Sequence, residues 1–247
     1  MRVFFTDRSD IGESEIFLSG DNHHHIKNVL RLPAGEEITV KTGGSISYVC
    51  EIKSYEDDRV VCTVKESIQT DTELPVYIDV FQGIPKGDKL ELIIQKCTEL
   101  GAAGIIPVMT SRSIVKLDEK KKKAKHERWE KIALNASEQS RRGRVCHVGE
   151  PVTFAEAMDM AAGYDRFIIP YECAEGFSYT REVFDSIKSG ERLALFIGPE
   201  GGFSDEEISL AKAAGADVIT LGKRILRTET AAMYVLSVMG YLFEEDD

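Results

Sequence analysis

Residues 196–207, FIGPEGGFSDEE, place three glycines and a carboxylate between an apolar strand end and a predicted helix, as in a ligand-binding loop. Glycines let backbone amides approach a ligand closely, and loops of this kind before a helix often bind phosphate. The stretch matches neither the G-x-x-x-x-G-K-[ST] nor the G-x-G-x-x-G pattern, and Glu200 would repel a phosphate. It therefore favours a ligand that carries no phosphate, and a cationic ligand is compatible with Glu200. A tight turn with no ligand fits the residues equally well.

A second candidate loop, LGKRILRTETA (221–231), also follows a short apolar strand and precedes an amphipathic helix. Arg224 and Arg227 lie near the predicted helix N-terminus, where the helix dipole disfavours positive charge. Such an exception to a local rule marks a candidate functional site. Thr228 or Thr230 is the predicted N-cap of the helix. If both loops follow parallel strands, they lie at the same edge of one sheet and converge on one crevice.

The charge of the chain is unevenly distributed. The net charge is −11, yet residues 112–144 contain 12 Lys and Arg against 5 Asp and Glu. A concentrated basic segment on an acidic body is typical of a protein that meets a polyanion over a limited area. The lysine run in DEKKKKAKHE (118–127) is better explained as a solvated helix face, whereas SRRGR (140–144) predicts a loop whose arginines suit phosphates and base edges.

The elements that must position these loops fall into two groups. Up to residue 67 the chain consists of short β-rich segments, with a TGGS hairpin at 42–45 and one small helix capped by Asp21 or Asn22. This pattern predicts a compact five-stranded barrel, and the polar stretch 66–75 marks its boundary. Beyond it, continuously apolar short strands alternate with helices, as in a parallel sheet covered on both faces.

Two helices of the second part have clear sequence signals. LELIIQKCTELG (90–101) has apolar residues at helical spacing and is expected to end at Gly101. Ser204, with Glu207 three residues on, forms a capping box that begins another helix. Lys89 lies off the apolar stripe of the first of these helices and is expected to be solvated.

Composition disfavours several classes of protein and site. No apolar run approaches the roughly 20 residues of a membrane helix, and the N-terminus lacks a signal-peptide pattern, so a cytoplasmic location is the default expectation. Cys146 and His147 would point to opposite faces of a strand, and the adjacent histidines at 23–25 do not converge on one ion, so no metal site is predicted. The cysteines form no C-x-x-C pair and are expected to be free thiols: Cys50, Cys62, Cys97, Cys146 and Cys173.

Six motifs together resemble the bacterial 16S ribosomal RNA (uracil-N3)-methyltransferases of the SPOUT class: HHIKNVLRLPAGEEITV, KLELIIQKCTELG, SRS, EQSRR, IGPEGGFSDEE and LGKRILRTETA. The likeness covers nearly the whole chain, and the last two motifs are its specific part. It implies an α/β fold in which a SPOUT domain (71–247) with a deep trefoil knot and a mostly parallel sheet follows a small PUA-like β-barrel (1–70). It also implies a homodimer that uses S-adenosylmethionine, needs no metal and acts on 16S rRNA near the decoding site of the small ribosomal subunit.

The resemblance also implies the residues of the site. Residues expected to bind the cofactor, largely through backbone groups, are Pro170, Ile197, Gly198, Glu200, Gly201, Gly202, Leu221, Gly222, Ile225, Leu226 and Thr228. Residues expected to bind RNA are His25, Arg31, Lys86, Arg112, Gln139, Arg141, Arg142 and Arg144, and Glu138 is expected near the active site. Cys146 departs from the family, which usually has proline at this position. The resemblance therefore predicts the conformation of the preceding loop less closely.

Arg227 and Glu229 are the expected catalytic residues. Methyl transfer to uracil N3 needs an aligned, flipped base without its N3 proton, and Arg227 would stabilise the negative charge that develops on the uracil oxygens. Glu229 would accept that proton or fix Arg227. A structural role explains Glu229 at least as well, because the helix dipole favours a carboxylate near the N-terminus of a helix. Glu200 either faces the sulfonium cation or caps amides of its own loop. A SPOUT ribose 2′-O- or guanine-methyltransferase and a non-catalytic RNA-binding module stay open as alternatives.

Overall fold

The computed structural model describes residues 2–113, 119–172, 174 and 176–244, with the backbone alone at 119–121. They form two compact units, Met1–Glu73 with Ser137–Val145, and Leu74–Ala136 with Cys146–Asp247. The predicted domain division at residues 70 and 71 stays a prediction. Cys173 lies outside the described residues. Among the helices of the described ranges, none has the length and apolar character needed to span a bilayer.

The first unit is built on one curled five-stranded sheet, as the sequence predicts. Its strands are β1 (Arg2–Phe5), β2 (Glu15–Ser19), β3 (Glu37–Lys41), β4 (Ile46–Tyr55) and β5 (Arg59–Gln69). They follow the order β1-β3-β4-β5-β2, in which β1 runs parallel to β3 and the other neighbours are antiparallel. Gly43 has a φ of 75° in the predicted hairpin between β3 and β4. Phe4, Ile16 and Ile38 belong to the apolar core of this unit.

The small helix of this unit differs from the prediction at its start. α1 (Gly20–His24) continues as a single π-type turn, His25–Val29. Neither Asp21 nor Asn22 caps it, and the Asn22 side-chain amide instead donates to the Phe5 carbonyl oxygen at 2.7 Å. The predicted N-cap is wrong because this side chain joins the helix to strand β1.

The second unit contains a parallel sheet whose strands alternate with helices, which confirms the predicted α/β class. The described strands are β6 (Tyr77–Gly83), β7 (Gly104–Met109), β8 (His147–Val148), β9 (Val152–Thr153), β10 (Arg166–Pro170), β11 (Arg192–Ile197) and β12 (Asp217–Ile219). The further helices are α2 (Lys89–Glu99), α3 (Glu119–Gln139), α4 (Phe154–Ala161), α5 (Phe177–Ser186), α6 (Asp205–Ala213) and α7 (Thr228–Phe243). The strand order is β12-β10-β11-β6-β7-β8, with β9 also paired to β7. The two-residue strands β8 and β9 are too short to produce a sequence pattern.

Successive side chains of the central strands enter two apolar cores on opposite faces of this sheet. In β11, Leu193 and Leu195 pack in a core shared with α2 and α7, whereas Ala194 and Phe196 pack in a core shared with α4 and α6. The sheet is therefore covered on both faces, as continuously apolar strands predict. The helix α2 also ends as predicted, before Gly101, whose φ is 90°.

Four cysteines lie in the described ranges, and all four are buried free thiols. Burial raises the pKa of Cys50 to about 11 and that of Cys62 to about 12, so both thiols stay protonated at neutral pH. Cys146 is buried whereas His147 is exposed, so the two side chains do not form a catalytic pair. Within the described ranges, no cluster of His, Cys, Asp and Glu side chains could hold a metal ion.

Phe196 lies at the centre of an aromatic cluster in the core shared with α4 and α6. Its ring is stacked on Phe81 with the centroids 4.5 Å apart, and it contacts Phe167 at the same distance. Phe196→Ala should lower the free energy of unfolding by about 3–5 kcal/mol, because it leaves a cavity in place of a buried ring. Urea unfolding followed by circular dichroism measures the change. Leu210→Ala, at a position 60% exposed, is the control. Equal losses in the two variants would contradict this packing.

Candidate functional site

A cavity of about 570 Å³ lies at the C-terminal ends of β10, β11 and β12. The loops that follow these three strands form its walls, which confirms that the two glycine-containing loops converge on one crevice. The residues predicted to bind a cofactor all line this cavity: Pro170, Ile197, Gly198, Glu200, Gly201, Gly202, Leu221, Gly222, Ile225, Leu226 and Thr228. The cavity is also lined by Arg112 and Arg227. That these residues bind a cofactor stays a prediction.

Close backbone packing explains the glycines of the first loop. A Cβ atom on Gly83, at the end of β6, would lie 2.5 Å from Pro199 Cδ, so only glycine lets this loop pack against the strand. A Cβ atom on Gly198 would lie 3.1 Å from Gly202 Cα. Gly202 has a φ of 65°, and its amide closes a turn by donating to the Pro199 carbonyl oxygen at 2.9 Å. The glycines therefore serve the shape of the loop, whatever ligand it holds.

Glu200 holds its loop to the start of α2. Its carboxylate accepts a hydrogen bond from Lys89 Nζ at 2.7 Å and from the Lys86 amide at 3.2 Å. Partial burial alone would raise the pKa of Glu200, but the Lys89 bond and the amides of Glu200 and Lys86 lower it below its ordinary value. The carboxylate therefore caps amides, which favours the second of its two predicted roles. Lys89, which was predicted to be solvated, keeps 38% of its side chain exposed while it makes this ion pair.

The predicted capping box at the start of α6 is present and reaches further than the helix. Ser204 Oγ accepts from the Glu207 amide at 3.2 Å, and the Glu207 carboxylate accepts from the Ser204 amide at 2.8 Å. The other carboxylate oxygen of Glu207 accepts from the Ser111 amide, also at 2.8 Å. This buried carboxylate thus joins the first cavity loop to the segment after β7. The next residue, Arg112, donates from Nη1 to the Gly201 carbonyl oxygen at 3.0 Å.

Thr228 joins the two glycine-containing loops. Its hydroxyl donates to the Gly198 carbonyl oxygen at 2.6 Å and accepts from Gln82 Nε2 at 2.8 Å. The predicted capping role of Thr228 or Thr230 is wrong, because α7 has Arg227 at its N-cap position and no side chain caps it. Gln82 is fully buried at the end of β6 and was missed at the sequence level. A polar residue inside an apolar strand is the signal that could have found it.

The bond between the Thr228 hydroxyl and Gly198 should contribute measurably to stability. Thr228→Val should lower the free energy of unfolding by about 1–3 kcal/mol, because the partly buried Gly198 carbonyl and the buried Gln82 amide each lose one hydrogen bond. Thr230→Val is the matched control, since Thr230 is exposed on the same turn. Thermal unfolding of the two variants measures the difference, and an equally small effect of both would show that the hydroxyl is not needed.

The structure positions the two predicted catalytic residues differently. Arg227 is exposed, has an extended backbone and lines the cavity. Glu229 lies in the first turn of α7, where the helix dipole stabilises a carboxylate. It is half-buried, and its Oε2 has no hydrogen-bond partner among the described residues. Glu229 is not among the residues that line the cavity in the described part of the chain.

The residues predicted to bind RNA differ in exposure. Their side chains are exposed at Arg31, Lys86, Arg112, Gln139 and Arg141. His25 is half-buried and packs edge-on against Phe4, with ring centroids 6.1 Å apart. The structure therefore gives His25 a packing role, and its binding of RNA stays a prediction.

The prediction that Arg142 contacts RNA needs correction. Arg142 is only 2% exposed, and its guanidinium makes a two-pronged ion pair with Glu73. Arg144 Nε donates to the same carboxylate at 2.8 Å. Burial alone would raise the pKa of Glu73, but the bonds and charges of the two arginines lower it. Arg142 therefore holds the segment 140–144 in place instead of offering its charge to a phosphate.

Glu138, the half-buried carboxylate of the EQSRR motif, has a perturbed pKa. Burial raises this pKa to about 7, against a smaller lowering by the hydrogen bond from the Phe5 amide. In the unfolded chain the carboxyl group titrates near its ordinary value of about 4.3. The folded protein therefore binds an extra proton between these two pH values. The free energy of unfolding therefore falls as pH rises through this window. Above about pH 7, Glu138 contributes no further change.

Glu138→Gln should accordingly become more stable relative to the unsubstituted protein as pH rises from 5 to 8. We expect a gain on the order of 1–2 kcal/mol in the difference of unfolding free energies, after allowance for solvent screening. Urea unfolding at both pH values measures it. Glu150→Gln, at an exposed carboxylate, is the control for the loss of one carboxylate charge. A flat Glu138→Gln difference would contradict the raised pKa.

Comparison with known proteins identifies both parts of the chain. The family described as RNA methyltransferase domain matches residues 72–240, and the family described as RNA methyltransferase PUA domain matches residues 18–65. The protein named ribosomal RNA small subunit methyltransferase E from Bacillus subtilis (strain 168) is 39% identical over 250 residues, which cover 99% of this chain and 98% of that protein. The protein of the same name from Synechocystis sp. is 32% identical, covering 94% and 75%.

A solved structure shows the same likeness in three dimensions. The crystal structure of a ribosomal RNA small subunit methyltransferase E from Neisseria gonorrhoeae, bound to S-adenosyl methionine, matches with a TM-score of 0.85. The two sequences are 30% identical, and the match covers 98% of each chain. The likeness therefore includes both units and not the parallel sheet alone.

Proposed function

This chain belongs to the RNA methyltransferase family that includes ribosomal RNA small subunit methyltransferase E, and on that premise we propose that it transfers a methyl group from S-adenosylmethionine to ribosomal RNA. The finer proposal is methylation of N3 of one uridine in 16S rRNA, near the decoding site of the small ribosomal subunit. The motif LGKRILRTETA and the N-terminal barrel support uracil N3 over ribose or guanine as the target.

The convergence of three loops on one cavity carries this proposal. Residues as far apart in the chain as Pro170 and Thr228 line it, and the volume of about 570 Å³ suits a small organic molecule. Four of the described lining residues are glycines, Gly198, Gly201, Gly202 and Gly222, and at these positions the wall offers backbone groups to a ligand. The site is therefore suited to recognising a ligand partly through backbone groups.

The residues present fit S-adenosylmethionine. When bound, this cofactor supplies an electrophilic methyl group on a sulfonium centre. Leu221 and Leu226 offer apolar side chains for contact with a purine ring, and Gly222, with a φ of 107°, opens the backbone beside them. Glu200 keeps its negative charge, because its pKa is lowered, and this charge is compatible with a cationic ligand.

Arg227 is the residue we assign to charge stabilisation. Its exposed side chain lines the cavity, so its guanidinium is accessible to a base presented there. Loss of the N3 proton puts negative charge on the uracil oxygens, and a fixed cation lowers the free energy of that state. The Arg227 carbonyl oxygen accepts from the Ala231 amide at 2.9 Å, so the backbone of this residue is held by the first turn of α7.

Glu229 is the candidate acceptor of the N3 proton. Its Oε2 is buried and has no hydrogen-bond partner in the described part of the chain, and Glu229 is not among the described residues that line the cavity, so this role rests on the family resemblance. A carboxylate in the first turn of α7 also stabilises the helix. The two roles are separable, because Glu229→Gln keeps the size of the side chain and removes its basicity.

The remaining parts of the proposal concern topology and partners. We propose that the second unit carries the deep trefoil knot of the SPOUT class, that the protein is cytoplasmic and acts as a homodimer, and that the PUA-like barrel helps to bind RNA. Ile225 and Tyr241 are 83% and 88% exposed, and this apolar surface would be covered by a second copy.

Methyl transfer to small ribosomal subunits tests the function directly. Labelled S-adenosylmethionine is incubated with subunits from a strain that lacks the modification, and the methylated nucleoside is identified by mass spectrometry. We expect 3-methyluridine. A ribose-methylated nucleoside or a methylguanosine would overturn the N3 assignment. Cofactor binding without transfer to any rRNA would overturn the proposed substrate.

Arg227→Ala should lower kcat by roughly 10²-fold or more, the scale of losing one oxyanion donor, while the Kd for S-adenosylmethionine stays nearly unchanged. Turnover with small subunits and calorimetry with the cofactor measure the two quantities. Arg181→Ala removes an exposed arginine from α5 and is the matched control for the loss of charge. Unchanged kcat in the Arg227 variant would rule out its catalytic role.

A further inference from the structure

The segment 140–144 of the first unit is held by one carboxylate. Glu73 accepts hydrogen bonds from Arg142 Nε at 3.2 Å, from the Gly143 amide at 3.0 Å and from Arg144 Nε at 2.8 Å. Arg142 Nη2 donates to it as well. Charge-assisted bonds to a partly buried carboxylate are strong, so the backbone of this segment has one conformation.

Arg141, in the same segment, has an unusual backbone conformation. Its φ is 59°, which is costly for any residue with a Cβ atom. Its side chain is exposed. Glycine would adopt this conformation without strain, so the local backbone alone does not account for an arginine at this position.

Lys41 also holds the Arg141 backbone. It is buried at the end of β3, only 4% exposed, and its Nζ donates to the Arg141 carbonyl oxygen at 2.6 Å. Burial lowers the pKa of Lys41, the Arg141 charge lowers it further, and the charge of Glu73 acts in the opposite direction. A buried ammonium group is costly unless it makes hydrogen bonds, and this one makes a bond to a main-chain carbonyl.

We propose that Lys41 and Glu73 are positioning residues that hold Arg141 in its left-handed conformation so that the Arg141 guanidinium contacts a phosphate of the rRNA. This inference rests on the proposed function. Strained residues persist where surrounding contacts over-determine them, and such residues occur preferentially at functional sites. The negative charge of Glu73 is taken up by Arg142 and Arg144, so Arg141 presents its positive charge to solvent.

The proposal explains a division of labour within SRRGR. Arg142 and Arg144 bind Glu73 and fix the segment, whereas Arg141 points its charge outward. A fixed backbone reduces the conformational entropy that an arginine loses when it binds a phosphate. Phosphate contacts position a protein on nucleic acid without reading sequence, so Arg141 should affect affinity and not the choice of nucleoside.

Binding of small ribosomal subunits at several salt concentrations tests the contact. Arg141→Gly should weaken binding roughly five-fold, as expected for one charge-assisted contact, and should reduce the slope of log affinity against log salt by about 1. Its melting temperature should stay equal or rise, because glycine removes the backbone strain. Lys53→Met, which removes an exposed charge elsewhere on the barrel, is the control. Unchanged affinity and slope in Arg141→Gly would overturn the proposal.

A double-mutant cycle tests the positioning role. Lys41→Met should weaken subunit binding, yet the Lys41→Met/Arg141→Gly variant should bind no more weakly than Arg141→Gly alone, because both changes act through one guanidinium. Additive losses would overturn the role of Lys41. If Lys41→Met is too unstable to purify, Glu73→Gln with Arg141→Gly gives the same cycle. Wild-type protein that binds subunits but transfers no methyl group would defeat the proposed function and leave this inference standing.

Discussion

The cavity depends on one hydroxyl group, that of Thr228, which lies between the Gly198 carbonyl and the Gln82 amide. This contact joins the loop after β11, the start of α7 and the end of β6, three segments that are distant in sequence. Gly83, next to Gln82, packs directly under Pro199, so the same strand end supports the loop both by hydrogen bonding and by contact. These contacts tie the walls of the cavity to one another, and a site held in this way costs a cofactor little free energy of ordering when it binds.

Carboxylates hold the functional loops of this chain by accepting bonds from backbone amides. Glu200 binds the Lys86 amide, Glu207 binds those of Ser111 and Ser204, and Glu73 binds that of Gly143. Each of these side chains joins two separate segments of the chain, so one residue does what would otherwise need several backbone hydrogen bonds. The net charge of −11 already counts the cations that pair with these carboxylates, so the proposed RNA binding depends on the local excess of 12 Lys and Arg over 5 Asp and Glu in residues 112–144.

The fold was predictable wherever short-range pattern decides structure. Apolar runs predicted the parallel strands, the period of 90–101 predicted α2, and the Ser204–Glu207 spacing predicted a capping box. The cavity residues were predictable because they form contiguous motifs. The errors concern Arg142 and the N-caps of α1 and α7, where the side chains have partners outside their own element: Glu73 for Arg142, Phe5 for Asn22 and Gly198 for Thr228. No local period reports such contacts, and for the same reason Gln82 was missed, since its partner lies 146 residues away.

The arginines show how an exception to local rules can be interpreted once the contacts are known. Arg142 and Arg144 form ion pairs with Glu73, so an internal partner accounts for two of the three arginines of SRRGR. Arg227 and Arg141 differ from these two arginines. Arg227 occupies the N-cap position of α7 without a capping hydrogen bond from its side chain, and Arg141 has a positive φ. Neither conformation is favoured by the helix dipole or by backbone sterics, and both side chains are exposed. Stability alone does not account for an arginine at either position, and this is why we propose for both that the charge contacts a partner outside the chain.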